Sequence, residues 1–275
     1  MKRTLWASLA IAAALCALMV TPQVLAQGAR AGQPARAAQP AAATAAPRTW
    51  YSVNIVTIKR GSGPEWVDFQ KTQTIPMQQK GGVKVRETWQ SGAPFGQGST
   101  YAIVTQIDKF ADYDQPPLPQ RTLSGDALRV YQEKQNRLVE SNRAFAIQDR
   151  TELSIAPAAS AQIRGAILMD VTVVGGHADQ YEAYIKNDLL PVLKKGNVLG
   201  YLVSRTVFGG NANEYHTLQM FDSYADLDKG PVPVRVLGAA GAAALTAKVT
   251  PHVASVTRSL MRYVPDLSFR ARPTS

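Results

Sequence analysis

The chain has 275 residues, of which 45% are hydrophobic and 18% charged, and its formal net charge is +10. Five of its 30 basic residues (Lys2, Arg3, Arg30, Arg36 and Arg48) lie in the first 48 positions, which contain no acid, so the remainder carries only +5. That is ordinary surface charge, and it excludes the dense basic footprint of a nucleic-acid binder.

Lys2 and Arg3 precede an apolar run from Leu5 to Val20 that only Ser8 interrupts, and Val24 and Ala26 follow as a small-residue pair. This order predicts a secretory leader over 1–26, removed after Ala26, and a periplasmic or secreted product. The run is shorter than the roughly 18–20 apolar residues of a membrane span, so no stable membrane insertion is expected after cleavage. The single cysteine, Cys16, falls inside the leader. The processed chain is therefore expected to have no disulfide, no thiolate metal site and no cysteine nucleophile.

Residues 27–48 contain ten alanines and three prolines (Pro34, Pro40 and Pro47). The segment has too little apolar surface to offset its ordering entropy and is expected to be a disordered linker.

From residue 49 onward the sequence repeats itself. At a shift of 115, Val56-Thr57 meets Val171-Thr172, Pro76 meets Pro191 and Lys80-Gly81 meets Lys195-Gly196. The shift drops to 113 at Phe95-Gly96 and Phe208-Gly209, then settles at 114. There Tyr101 meets Tyr215 and Pro117-x-Pro119-x-Arg121 meets Pro231-x-Pro233-x-Arg235. Both changes of shift fall in Gly-rich stretches, Gly92 to Gly98 and Gly209 to Asn213, where hairpin loops absorb insertions without disturbing strand register. Two repeats are expected, over 49–157 and 164–270.

Within one repeat, Ser52 to Ile58 (Leu168 to Val174 in the second) reads as a strand. A helix follows from Gly63-Pro64-Glu65, with Pro76 and Pro191 expected to kink or restart it before Lys-Gly closes it. Val83 to Gln90 and Tyr101 to Ile107 form a hairpin, repeated by Val198 to Val207 and Tyr215 to Phe221. A second helix is expected over about Thr122 to Ala146 and about Val236 to Arg258. A last short strand is expected at Glu152 to Ile155 and Asp266 to Phe269. The order β-α-β-β-α-β predicts an α+β fold of two tandem ferredoxin-like units packed sheet to sheet.

The early glycine and aromatic helix start, the helix proline with Lys-Gly downstream, the Phe-Gly hairpin and the Asp-x-Asp turn before Pro-x-Pro together resemble the dimeric α/β-barrel superfamily. NIPSNAP-like and antibiotic-biosynthesis-monooxygenase-like domains are the nearest members. The resemblance covers about 51–155 and 167–269. It implies an intrachain barrel, monomeric with pseudo-twofold symmetry, around a central cavity. It also implies either ligand binding or a cofactor-independent or haem-linked monooxygenase activity.

No nucleotide-binding loop, nucleophile elbow or His-Glu-x-x-His motif occurs, and none of His177, His216 and His252 stands at metal-ligand spacing. No metal and no cofactor are expected. A small apolar or aromatic ligand between the repeats is the expected partner. Strand alternation puts Tyr101, Ile103 and Thr105 on one face, and Tyr215, Thr217 and Gln219 on its counterpart; these sets are expected to face the cavity. With Trp89, Arg86, Arg205 and His216 nearby, Tyr101 and Tyr215 complete the candidate ligand site. Arg121 and Arg235 are expected to pair with Asp112 or Asp114 and with Asp226 or Asp228.

Overall fold

The computed structural model describes residues 49–91 and 98–271. The leader and linker expected over 1–48, and most of the first hairpin loop, lie outside the described residues. The order is β1 (Trp50–Ile58), α1 (Gly63–Phe69), α2 (Ile75–Lys80), β2 (Val85–Ser91), β3 (Thr100–Ile107), α3 (Leu118–Thr122), α4 (Gly125–Leu138) and β4 (Val139–Asp149). It recurs as β5 (Gly165–Val173), α5 (Ala178–Tyr184), α6 (Leu190–Lys195), β6 (Gly200–Phe208), β7 (Glu214–Phe221), α7 (Ala225–Asp228), α8 (Val232–Val249) and β8 (Val253–Tyr263), with a short β9 (Phe269–Arg270). Corresponding strands begin 115 residues apart at β1 and β5 and 114 apart at β4 and β8, the offsets found in the sequence.

All strands pair antiparallel in the order β3-β1-β4-β6-β7-β5-β8-β2, and β2 pairs back to β3, so eight strands close into a barrel. Each half supplies four adjacent strands. Two seams join them: Ile147 to Asp149 against Thr206 to Ser204, and Trp89 to Ser91 against Tyr263 to Met261. An eight-stranded barrel encloses just enough space for side chains to fill. Here Trp89, Ala102, Ala166, Met220 and Met261 fill it, with Leu168, Leu202 and Leu218 packed against them. The expected central cavity between the two sheets is therefore a packed core. Two further apolar layers lie outside the barrel, one under the helices of each half.

Pro76 and Pro191 do not break their helices. Each follows a single widened π-helical turn, Gln70–Thr74 and Ile185–Leu189, and stands in the first turn of the helix after it. The wider turn absorbs the hydrogen bond that proline cannot donate.

The expected second helices end too late. Helix α4 stops at Leu138 and leads directly into a strand of 11 residues, and α8 stops at Val249 and leads through a 3₁₀ turn, Thr250–His252, into another of 11. The N-terminal parts of those strands pair on one side only, so Glu140 to Ala144 and Ala254 to Arg258 are exposed and carry no inside–outside alternation. Their Ala, Arg and Glu content then reads as helix.

The expected last strands are instead 3₁₀ turns, Thr151–Leu153 and Pro265–Leu267, each followed by a crossing contact. Ile155 bridges to Tyr201 of the other half, and β9 pairs with Val85 and Arg86. Ser154 Oγ accepts the Val203 amide at 2.9 Å, and Ser268 Oγ accepts the Thr88 amide at 2.9 Å. Leu153 is buried in the second half's core, and Leu267, fully buried, in the first half's. The repeated Leu-Ser pair is thus a plug that each half inserts into the other.

The stretch Ala225–His252 is long and apolar enough to cross a membrane by length and composition, with mean hydropathy 1.3. Here it packs on the sheet and is broken at Gly238, whose φ of 72° and ψ of 171° favour glycine.

Candidate functional site

Helix α8 crosses the outer face of β5, β6 and β7 and leaves a cavity of about 820 Å³ beneath it. Its walls are mainly apolar: Ile167 and Met169 from β5, Leu189 and Leu193 from the first helical segment, Tyr201 from β6 and Val232 from α8. Asn197, Gln219 and Thr246 add neutral polar groups, and Asp226, Lys229, Arg235 and Arg258 add charge. The volume lies in the range of small-molecule sites, about 300–1,000 Å³.

The cause is local sequence. The run from Gly238 to Ala244 contains only glycine and alanine, so this part of α8 has no long side chain to send inward. At the corresponding position, 114 residues earlier, Leu128 stands where Ala242 lines the cavity. The first half fills the same layer with a polar network. Arg86, 1% exposed, donates from Nε to the Leu267 carbonyl at 3.0 Å, from Nη1 to Gln78 Oε1 at 2.7 Å and from Nη2 to Gln70 Oε1 at 2.8 Å. Tyr131 and Thr74 pair through their hydroxyls at 3.3 Å. The second half has Ile185, Leu189, Leu193, Tyr201 and Leu245 where the first has Gln70, Thr74, Gln78, Arg86 and Tyr131. Only about 270 Å³ remains at the matching place in the first half. Both layers have apolar cores, but the first carries a buried polar network and the smaller space, and the second has apolar residues at those positions and the larger space.

The same burial perturbs the titrating groups. Burial lowers Arg86 to about 10, since its acceptors are neutral and no carboxylate shares its site. Burial pushes the Tyr184 hydroxyl up to about 12 and those of Tyr181 and Tyr201 higher still.

The sequence-predicted site residues divide between two layers. Tyr101 lies under the first-half helices, with its ring 4.4 Å from that of Trp66 and its hydroxyl accepting from Gln90 Nε2 at 3.2 Å. Tyr215 lies under the second-half helices, 4.9 Å from the ring of Tyr181, and donates to Glu182 Oε1 at 2.7 Å. Arg205 sits over the Tyr215 ring at 5.4 Å and donates from Nε to the Ala212 carbonyl. Arg86 is in the polar network. The expectation that Tyr101 and Tyr215 face each other between the sheets is thus reversed. The narrow barrel takes the alternate set, Ala102 and Val104 from β3 and Leu218 and Met220 from β7, while the helix layer has room for the aromatics.

Trp89 and His216 do belong to the barrel interior. Trp89 packs on Tyr263 at 5.0 Å. His216 Nδ1 is 2.7 Å from Asp170 Oδ1, and its Nε2 is 2.8 Å from Thr206 Oγ1. A carboxylate only accepts, so Nδ1 donates to Asp170, while Thr206 Oγ1, which also lies 3.4 Å from Glu214 Oε2, has one hydrogen to share between Nε2 and that carboxylate. This Asp-His-Thr order is that of an activated hydroxyl, but Thr206 is 1% exposed and the Phe145 ring covers His216 at 5.3 Å. With no opening at the hydroxyl, the chain satisfies buried polar groups rather than presenting a nucleophile.

Of the expected pairings of Arg121 and Arg235 with nearby aspartates, Arg235 lies near Asp226 and helps to lower its pKa, but the closest ion pairs at these turns are made by lysines. Lys109 holds Asp112 at 3.6 Å and Lys229 holds Asp226 at 2.5 Å. Among the described residues no cluster of three or more His, Cys, Asp or Glu could hold a metal. No His or Cys lines the cavity, and of the side chain types that ligate haem iron its wall offers Met169, Met220 and Tyr201. Sequence reasoning missed the cavity residues themselves. The signal was the replacement of five positions in one repeat by apolar residues, together with Leu128 giving way to Ala242.

No family model matches the chain, and no curated protein does. Solved structures do match. A putative monooxygenase from Lactobacillus acidophilus NCFM superposes with a TM-score of 0.55 at 11% identity, over 82% of this chain and 97% of that one. A putative monooxygenase from Fusobacterium nucleatum superposes with a TM-score of 0.52 at 9% identity, over 78% and 92%. The chain shares with both an α+β fold, and in this chain eight antiparallel strands close into a barrel flanked by helices. At these identities the likeness concerns the fold, and what such a protein binds is decided by its own side chains.

Proposed function

We propose that this barrel protein binds a small apolar or aromatic molecule in the cavity under α8. The observation that carries the reading is the contrast between the halves, about 820 Å³ of mainly apolar space in one against about 270 Å³ in the other. A duplicated pair of layers that needed only stability would gain from packing both, since unfilled apolar space forfeits dispersion contacts. Substituting Ala242→Leu, the residue the first half has at Leu128, places a branched side chain in the space. Binding of the neutral fluorophore N-phenyl-1-naphthylamine is expected to fall at least tenfold, with the fold and melting temperature retained. Unchanged binding in a well-folded Ala242→Leu protein would refute the site.

The matching offsets, the recurring π-turns and the crosswise plugs support an origin by tandem duplication of a ferredoxin-like unit, and a monomer as the working form. The order of residues 1–26 supports export, with a processed N-terminus at Gln27. The monooxygenase names of the two fold neighbours support a second reading of the same cavity, oxygenation of an aromatic substrate beside Tyr201 and Gln219. Oxygen uptake in the presence of a retained native ligand tests it, and binding without uptake would sink it.

A further inference from the structure

We infer that the ligand of the α8 cavity is anionic, an apolar or aromatic body bearing a carboxylate or sulfonate-like group that Arg258 receives; the inference rests on the cavity being a ligand site. Of the four charged residues on its wall, Asp226, Lys229, Arg235 and Arg258, three are basic. Lys229 is held by Asp226 at 2.5 Å, and Arg235 lies close enough to the same carboxylate to help lower its pKa. That leaves Arg258. Its Nη2 lies 3.8 Å from Met169 Sδ, and among the described residues no carboxylate forms a salt bridge with it. Met169 is itself a wall residue, so the guanidinium rests on the cavity's lining with its fork of donors unused.

The comparison between the halves points the same way. At the position corresponding to Arg258 the first half has Ala144, and at that of Met169 it has Asn54. Arginine thus occurs at the half whose layer is open, whereas Arg121 and Arg235 recur in both. A guanidinium at the border of apolar walls and solvent gains most from an anion that arrives on an apolar body. The ion pair is then partly shielded from water, and two parallel donors meet two oxygens. A neutral ligand of the same shape would use the walls and leave the arginine solvated.

Two naphthalene fluorophores separate the possibilities, 8-anilinonaphthalene-1-sulfonate, which is anionic, and N-phenyl-1-naphthylamine, which is neutral. The full-length processed protein is expected to bind the anionic probe more tightly, and increasingly so as salt falls. Arg258→Gln, at an exposed position, is expected to weaken the anionic probe about tenfold and to leave the neutral one unchanged, while Arg258→Lys recovers part of the loss. Ala242→Leu is expected to weaken both. If the neutral probe binds as tightly as the anionic one and Arg258→Gln changes neither, the charge assignment is overturned while the cavity stands. If Ala242→Leu in a folded protein changes neither probe, the cavity reading fails, and this inference fails with it.

Discussion

Leu267 belongs to the second half by sequence and to the first half by packing, and truncating it tests whether the halves are one cooperative unit. It is fully buried among the first half's core residues, which include Val56, Ile58, Trp66, Phe69 and Leu138. Leu267→Ala removes three carbons from a site walled by rigid rings and by strand β1, so little collapse is available. A cost of about 3 kcal/mol is expected, within the range for buried leucines. For a folded unit of this size that corresponds to a fall of about 6–12 °C in melting temperature. The Leu267 carbonyl also receives Arg86 Nε and Thr88 Oγ1, at 3.0 and 2.7 Å, and its position depends on the same plug. Hydrogen exchange gives the decisive reading. If the halves fold as one, the first-half amides of Val56 and Ile58 lose protection along with those of β5. Loss confined to β1 and its neighbours with protection retained in β5 would show two independent domains, and the interlocked reading would be wrong.

Thr206→Val leaves His216 Nε2 without its hydrogen-bond partner inside the barrel. It is expected to cost about 1–3 kcal/mol in thermal or denaturant unfolding while binding of N-phenyl-1-naphthylamine is unchanged; a stable variant with lost binding would mean that the Asp170-His216-Thr206 chain serves the ligand. Alkaline pH should destabilise the protein. Tyr181, Tyr184 and Tyr201 have hydroxyls raised above the unfolded value of 10, so their contribution is full below pH 10 and is lost as pH rises beyond it. Arg86, lowered from 12.5 to about 10, acts in the opposite direction over the same window, but as one group against three. Absorbance of ionised tyrosine should therefore rise in step with unfolding; full tyrosine ionisation near pH 10 with the fold intact would contradict the burial argument. N-terminal sequencing of exported protein is expected to begin at Gln27, and a product retaining Met1 to Ala26 would overturn the leader assignment.

Much of the fold was legible because its punctuation is chemical. The apolar runs of β1 and β5 end at glycines, Pro64 opens a helix, Lys80-Gly81 and Lys195-Gly196 close one, and the repeat gives each feature twice. What failed was β4 and β8, whose outer edges lack partners, so burial imposes no alternation on Glu140 to Ala144. The facing of Tyr101 and Tyr215 failed for a different reason. Alternation says which residues share a face, but not whether that face meets a narrow barrel or a helix layer, and side-chain volume decides that. The cavity was legible only by comparing the repeats with each other, since an alanine-rich helix is unremarkable until Leu128 stands at its counterpart.

The exchanged plugs also bear on the order in which the protein can form. The first half's core is completed by Leu267 and its strand β2 is capped by β9, close to the far end of the chain. Neither the barrel's second seam nor the first half's interior can close until almost the whole chain is available, and the contacts that close them span nearly 200 residues. Such non-local closure makes for slow folding, because the entropy of a long loop is lost before the contacts repay it. A nascent or translocating chain would therefore remain open until its last two dozen residues arrive. If the expected leader does direct export in an unfolded state, this topology would itself help to delay folding until passage is complete.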